Sequence, residues 1–250
     1  MILYPNAKIN IGLNILNKRE DGYHEISSIF YPVLTLFDIL EVKAASKFSC
    51  RTTGNYIITE RDNLCSKAFF MLHQDFNIPN VTIHLHKQIP VGSGLGGGSS
   101  DAVFTLKALN DIFNLELDKN QLYYYASKLG ADCPFFMQNI PQYAQGIGDE
   151  LFSLDLNLDE YEIRFIHSKI HISSSMSYKN IKVRNFKNNL KELIQKPIVL
   201  WRDNIINDFE YFAFKIHPEL LEYKNQLYKE GAIYASLTGS GSTVYGIFSR

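Results

Sequence analysis

The segment PVGSGLGGGSSDA, residues 90–102, constrains this chain more than any other, because five of its thirteen residues are glycine. A strand-like stretch precedes it. VTIHLH, residues 81–86, alternates Val81, Ile83 and Leu85 with Thr82, His84 and His86, the period of a half-buried strand. A helical stretch follows it, with Ala102, Leu106, Leu109 and Phe113 at i, i+4, i+7 and i+11. Glycines at such a junction let the backbone take positive φ and let N–H groups approach a ligand closely. A helix start there is a ready anion site, and Ser99, Ser100 and Asp101 are expected to cap it. The segment therefore reads as a phosphate loop, and a flexible linker is disfavoured by its frame of strand and periodic helix.

Two familiar phosphate loops do not fit. Gly92, Gly94 and Gly97 satisfy GxGxxG, but a dinucleotide fold needs a strand after the helix. Here a second helix follows instead, started by Asp118 with Gln121 three residues on. It carries Leu122, Tyr125, Ala126 and Leu129 on one face and is expected to stop at a left-handed Gly130. A P-loop NTPase needs GK[ST] at the end of the loop, where this chain has Gly-Ser-Ser. What remains is nucleotide phosphate held largely by backbone amides, with a serine hydroxyl facing Mg²⁺.

The rest of the chain supplies the frame. IGLNIL (11–16), ISSIFYPV (26–33) and DILEVKA (38–44) read as strands. Asp62 and Asn63 offer caps to a helix with Leu64, Ala68, Met71 and Leu72 on its apolar face. After about residue 150 the pattern changes: YEIRFIH (161–167) is a strand, and a helix from Pro218 carries Leu220, Tyr223 and Leu227 and closes at Gly231. The tail forms two strands around TGSGS. Domains are expected at 1–152 and 153–250.

A net charge of −1 argues against a protein that neutralises many phosphates of DNA or RNA. The basic stretch 179–196 reads as a solvated helix face. The longest charge-free apolar run, residues 26–37, is too short for a membrane span, and no secretory signal opens the chain. Three widely spaced cysteines without a CxxC pair fit a reducing, cytoplasmic compartment. His73, His84 and His86 share no metal-ligand spacing with acids or cysteines, so no protein metal site is assigned to them.

The loop resembles the second motif of the GHMP kinases, and its triple glycine before SSDA looks most like the branch acting on 4-diphosphocytidyl-2-C-methyl-D-erythritol. PNAKINIGLNI (5–15), DGYHEISSIF (21–30), GADCPFF (130–136) and SLTGSGSTVYGIF (236–248) resemble that branch's other motifs, in the right order. The resemblance implies an α+β GHMP kinase fold. Its N-terminal domain would be ribosomal-protein-like and its C-terminal domain ferredoxin-like, with the site in the cleft between them. The chain ends at Arg250, soon after the third motif, so the last element of that fold is expected to be missing.

The implied activity is ATP-dependent, Mg²⁺-assisted phosphorylation of the substrate's 2-hydroxyl. The resemblance makes Asp132 the base and Lys8 the cation that polarises the acceptor oxygen. Apolar Cys133, Phe135 and Phe136 are expected to raise the Asp132 carboxyl towards a useful range. ATP would meet Pro90, Val91, Gly92, Ser93, Gly94, Leu95, Gly96, Gly97, Gly98, Ser99 and Ser100, with Asn63 and Lys87 on the adenine or phosphate side. Ser99 or Ser100 would face Mg²⁺, and Gly239, Ser240 and Gly241 would shape the floor. From the residues alone, Asn63 is equally a helix cap and Lys87 a solvated strand end.

Asn10, Tyr23, His24 and Tyr178 are the implied substrate residues, two aromatics closing on the cytosine and a histidine reading its edge. Such an enzyme would act on a small cytidyl diphosphate alcohol, without nucleic acid or membrane, as a monomer or weak homodimer. The alternatives are another GHMP kinase of the homoserine or mevalonate type, a nucleotide-dependent oxidoreductase and a non-catalytic nucleotide-binding module.

Overall fold

The computed structural model describes every residue except 169, 171 and 182–188. Strands β1 (Ile2–Leu3), β2 (Asn6–Lys18), β3 (His24–Phe37), β4 (Ile39–Ala44) and β5 (Ser49–Gly54) come first. Helix α1 (Leu64–Phe76) and strand β6 (Val81–Lys87) lead to the glycine loop. Helices α2 (Gly97–Ile112), α3 (Lys119–Leu129) and α4 (Cys133–Gln138) follow, then β7 (Gln142–Gln145), β8 (Glu150–Ser153) and β9 (Tyr161–Ile166). Short helices α5 (Ser174–Lys179), α6 (Leu190–Leu193) and α7 (Trp201–Asn204) precede α8 (Phe209–Ile216), α9 (Pro218–Lys229), β10 (Tyr234–Leu237) and β11 (Val244–Ser249). No described helix is long and apolar enough to cross a membrane.

The chain divides into two units that interleave in sequence. The first comprises Met1–Lys8, Pro32–Val91 and Gly96–Asn139; the second comprises Ile9–Tyr31, Gly92–Leu95 and Ile140–Arg250. Packing thus assigns residues 9–31 to the same unit as the C-terminal stretch, where the sequence division at 152 keeps them with the N-terminal residues. A contiguous cut cannot separate segments that leave a unit and return to it.

In the first unit, β6 pairs antiparallel with β4 and parallel with β5, in the order β1-β4-β6-β5. The alternation of 81–86 is realised: Val81, Ile83 and Leu85 are buried beside Leu40 and Val42 of β4. Helix α2 packs on β4 and α1 packs on α2. Asn63 caps α1, its side chain accepting from the Cys65 N–H at 2.9 Å. The buried face of α1 is Cys65, Ser66, Ala68, Phe69 and Leu72. It is rotated from the expected Leu64–Ala68–Met71–Leu72 face, because Phe69 stacks on Phe48 at 4.5 Å and draws its side of the helix inward.

Asp118 and Gln121 form the expected capping box on α3. Gly130 is extended, at φ 168°, and not the left-handed stop the sequence suggests. Its extended backbone carries the chain directly into α4.

In the second unit, one sheet runs β2-β3-β7-β8 and another runs β10-β11-β9. Leu13, Ile15, Ile26, Phe209, Leu220, Leu227, Leu237, Val244 and Phe248 share its core. Helix α9 lies on β11, and its expected face is realised with Leu220 and Leu227 buried. Asn207 donates to the Leu237 and Gly239 carbonyls, both at 2.8 Å, and so pins the start of the TGSGS turn. Part of the basic stretch 179–196 lies outside the described residues; α6 falls within its described part.

Candidate active site

The glycine loop is tied down at its entrance. The backbone N–H groups of Gln88 and Ile89 donate to Asp38 Oδ1 at 2.6 and 2.9 Å. Beneath them the Lys87 ammonium binds Asp38 Oδ2 and, at 2.8 Å, Asp101 Oδ2. All three side chains are essentially inaccessible. Lys87 is therefore no solvated strand end. It continues the buried register of β6, and a Cβ on Gly97 would stand 3.1 Å from its Nζ. Burial, set against the nearby Lys87 cation, leaves the Asp101 carboxyl raised to about 8. Attraction from Asp101 and Asp38 outweighs burial at Lys87 and pushes its ammonium up.

Gly92, Gly94 and Gly96 take φ of +65°, +81° and +70°, the left-handed region open to glycine. The expected cap on α2 is different. Gly96 occupies the N-cap position and offers no side-chain acceptor, while Ser99, Ser100 and Asp101 lie inside the first turns. The N-cap residue of α2 thus brings no side chain to its leading N–H groups, a start that suits an anion. Gly97 is already helical, and a side chain there would meet Ile89 Cγ2 at 2.7 Å.

Lys8 Nζ stands 3.2 Å from Asp132 Oδ2. Lys8 is buried, whereas the Asp132 side chain is 36 % exposed. Asp132 is the N-cap residue of α4 and spends no side-chain hydrogen bond on capping. Cys133, Phe135 and Phe136 are buried beyond it, and the Lys8 cation stands beside its carboxylate. A Cβ on Gly96 would stand 3.0 Å from Lys8 Cγ and 3.1 Å from Phe136 Cζ. Lys8, Asp132 and the head of α2 therefore meet in one place. Ser100 is fully buried and its hydroxyl has no hydrogen-bond partner, while Ser99 is half-buried. Burial holds the Cys133 thiol at about 12, even with a hydrogen bond from Ser99.

Asn63 is committed at both ends of its amide, to Cys65 N–H and, at 3.3 Å, to the Thr52 hydroxyl. Within the second unit, Asn10 Nδ2 donates to Ser28 Oγ at 2.9 Å, and the Thr238 hydroxyl reaches Asn10 Oδ1 at 3.4 Å. Thr238 also donates to the Gly94 carbonyl at 3.1 Å, and the Thr243 N–H donates to the Ser93 carbonyl at 3.2 Å. The front of the loop is thereby held by the TGSGS turn, and a Cβ on Gly94 would overlap the Thr238 carbonyl oxygen. Ser240 exchanges a hydrogen bond with Ser174 at 2.9 Å.

His24 and Tyr178 stack, with ring centroids 5.3 Å apart and planes inclined 22°. Tyr178 is braced edge-on against Phe209 at 4.9 Å. Burial, and then the Lys18 charge, lower the His24 pKa and favour the neutral ring. Tyr23 is 61 % exposed, its N–H held by Asp21. Sequence reasoning missed Asp38, Ser28, Thr238 and Phe209 as supports. Asp38 stood in the DILEVKA strand, and nothing local marked it as the partner of a lysine 49 residues away.

Among known families, the N-terminal domain of the GHMP kinases matches residues 63–139 and their C-terminal domain matches residues 186–250. The chain belongs to the GHMP kinases. The 4-diphosphocytidyl-2-C-methyl-D-erythritol kinase of Azobacteroides pseudotrichonymphae genomovar. CFP2 is 45 % identical, over 100 % of this chain and 94 % of that protein. The enzyme of the same name from Bacteroides thetaiotaomicron is 46 % identical, over 99 % and 92 %. A crystal structure of 4-(cytidine 5'-diphospho)-2C-methyl-D-erythritol kinase superposes with a TM-score of 0.85 at 32 % identity, covering 99 % of this chain and 90 % of that one. Methanococcus jannaschii mevalonate kinase, at 14 % identity and a TM-score of 0.70, shares the fold. Within the GHMP kinases the chain stands with the 4-diphosphocytidyl-2-C-methyl-D-erythritol kinases, as its DGYH and GGGSSDA strings suggest.

Proposed function

We propose that this chain transfers the γ-phosphoryl group of ATP to the 2-hydroxyl of 4-diphosphocytidyl-2-C-methyl-D-erythritol, in non-mevalonate isoprenoid precursor synthesis. The observation that carries the reading is the meeting of Lys8, Asp132 and Gly96 at the head of α2. Phosphoryl transfer asks for phosphate stabilisation, a positioned hydroxyl and a proton acceptor. The loop amides and the uncapped start of α2 supply the first.

Asp132 Oδ2 takes the proton of the acceptor hydroxyl. Lys8 Nζ lies beside the same oxygen and lowers the pKa of a substrate hydroxyl placed between them. Its charge then faces the oxygen as negative charge moves towards phosphorus. Mg²⁺ carried with the nucleotide would neutralise charge on the phosphates. Ser99, half-buried on the first turn of α2, fits that ion, whereas the enclosed Ser100 hydroxyl does not. Lys87 supports the loop from below, and Asn63 fixes the start of α1 on the adenine side.

On the substrate side, a neutral His24 presents one donor and one acceptor to the cytosine edge. Tyr178, backed by Phe209, and the exposed Tyr23 offer ring faces to the base. Asn10 orients the alcohol. The enzyme acts in the cytoplasm on this small molecule, as a monomer or weak homodimer, a setting supported by its balanced charge and three free, buried cysteines.

The test is kcat/KM with ATP for the cytidyl substrate, its uridyl analogue and free methylerythritol phosphate. A site with buried polar groups matched to cytosine discriminates by up to about 10⁴–10⁵-fold against a substrate that leaves them unpaired. Comparable turnover of all three would return the chain to the wider group of GHMP small-molecule kinases.

A further inference from the structure

The Lys8–Asp132 pair depends on where two separate backbone elements are held. Asp132 makes no capping hydrogen bond, so its heading follows the placement of α4. That helix has six residues and rises about 9 Å at 1.5 Å per residue, too short to be stable by itself. Its far end is fastened in two ways. Lys107 Nζ donates to the Phe136 and Met137 carbonyls at 2.9 and 3.1 Å. Asn139, the left-handed C-cap at φ 56°, returns its N–H to Phe135 and extends its side chain to β2.

There it meets Asn6. Asn139 Nδ2 donates to Asn6 Oδ1 at 2.7 Å, and Asn6 Nδ2 donates to Asn139 Oδ1 at 3.1 Å. Each amide gives one hydrogen bond and takes one, so both orientations are fixed. Asn6 Nδ2 also donates to the Ala7 carbonyl at 2.8 Å, and Asn6 is buried. Asn6 and Lys8 are two apart on β2, hence on one face and about 6.6–6.8 Å from each other along it. The strand therefore holds α4 at its C-cap through Asn6 and meets its N-cap through Lys8.

We propose that the reciprocal Asn6–Asn139 amide pair is a positioning element of the phosphoryl-transfer reaction, setting the alignment of Asp132 with Lys8. The proposal rests on the reading of those two residues as the reacting pair.

Steady-state kinetics of Asn6→Ala, Asn139→Gly and the double variant test it. Asn139→Gly keeps the left-handed backbone accessible. A displacement near 1 Å at a reacting group can cost about 10²-fold, so each single variant is expected to lose about fivefold or more in kcat. KM for ATP should stay within about twofold, since the loop is untouched, and the double variant should be no slower than the slower single, as expected of groups acting as a unit. Asn139→Asp keeps the acceptor for Asn6 Nδ2 but sets a carboxylate oxygen against Asn6 Oδ1, so it should lose kcat as the other single variants do.

A smaller loss of kcat in the singles, or kcat and ATP affinity falling together, overturns the proposal. If Asn6→Ala fails to fold by circular dichroism, the half-buried Asn139→Gly decides alone. Asp132→Asn in the same assay separates the two ideas. An active Asp132→Asn enzyme removes the underlying reading. An inactive one beside full-speed asparagine variants removes the positioning role alone.

Discussion

Lys87→Met keeps most of the side chain's volume and removes one cation from a place no water reaches. Lys87, Asp38 and Asp101 are each at most 1 % exposed, and the ammonium serves both carboxylates. Breaking a buried ion pair by deleting one partner costs about 3–5 kcal/mol. Asp38 keeps two backbone donors, Gln88 and Ile89. The other oxygen of Asp101, Oδ1, is buried without a hydrogen bond. Burial already holds the Asp101 carboxyl at about 8 against the pull of Lys87, so it is largely protonated at neutral pH with or without the cation. What the variant loses is the ammonium's hydrogen bond to Asp101 and its ion pair with Asp38, and the penalty is about 3 kcal/mol, the low end of that range.

The pH dependence follows from the sign of that shift. A carboxyl whose folded pKa is raised keeps a proton that the unfolded chain releases. Its contribution is full below the unfolded value of 3.8 and is lost as pH rises through about 8. Lys87→Met raises the folded value further, but both folded proteins keep the proton below about pH 7, so the deficit of the variant should be constant from about pH 5 to about pH 7 and widen above about pH 8, where only the wild type releases it. For a chain of this size the loss corresponds to roughly 6–12 °C in melting temperature at neutral pH. Urea and thermal unfolding followed by circular dichroism at about pH 6 and about pH 9.5 measure it. A deficit below about 1 kcal/mol, or one that does not widen above about pH 8, would refute the reasoning.

Gly96→Val forces a branched side chain into φ +70° and against Lys8 Cγ at 3.0 Å, so it should abolish turnover and ATP binding in a protein still folded by circular dichroism; unchanged affinity by calorimetry sinks the phosphate-loop reading. Tyr178→Ala removes a ring stacked on His24 and should cost about 1–3 kcal/mol, or some tenfold and more, in kcat/KM for the cytidyl substrate while KM for ATP holds. Equal loss for ATP would place Tyr178 elsewhere in the reaction.

Patterns that depend on near neighbours were legible in the sequence. The alternation of 81–86, the Asp118–Gln121 box and the Leu220–Leu227 face all rest on spacing of a few residues, and all are present. The loop was legible because glycine at φ > 0 leaves a compositional mark. The α2 cap was misjudged because three good capping residues follow the actual N-cap, Gly96. Strand β5, SCRTTG, carries too few apolar residues to announce itself and is specified by its parallel neighbour β6. Lys87 was open between an ATP-side residue and a solvated strand end, and its burial was not legible because lysine is seldom buried and its two carboxylate partners lie 14 and 49 residues away. Asn6 and Asn139 are 133 residues apart, and no local pattern pairs them.

The central claim is that Asp132, beside Lys8, takes the proton of the acceptor hydroxyl. The most direct measurement is single-turnover phosphorylation of the cytidyl substrate by Asp132→Asn, alongside calorimetric ATP binding by the same protein. The substitution is nearly isosteric at a half-exposed site, so fold and ATP affinity should be unchanged. Loss of a general base should slow the chemical step by about 10²–10⁴-fold. A variant that phosphorylates its substrate at close to the wild-type rate would contradict the account.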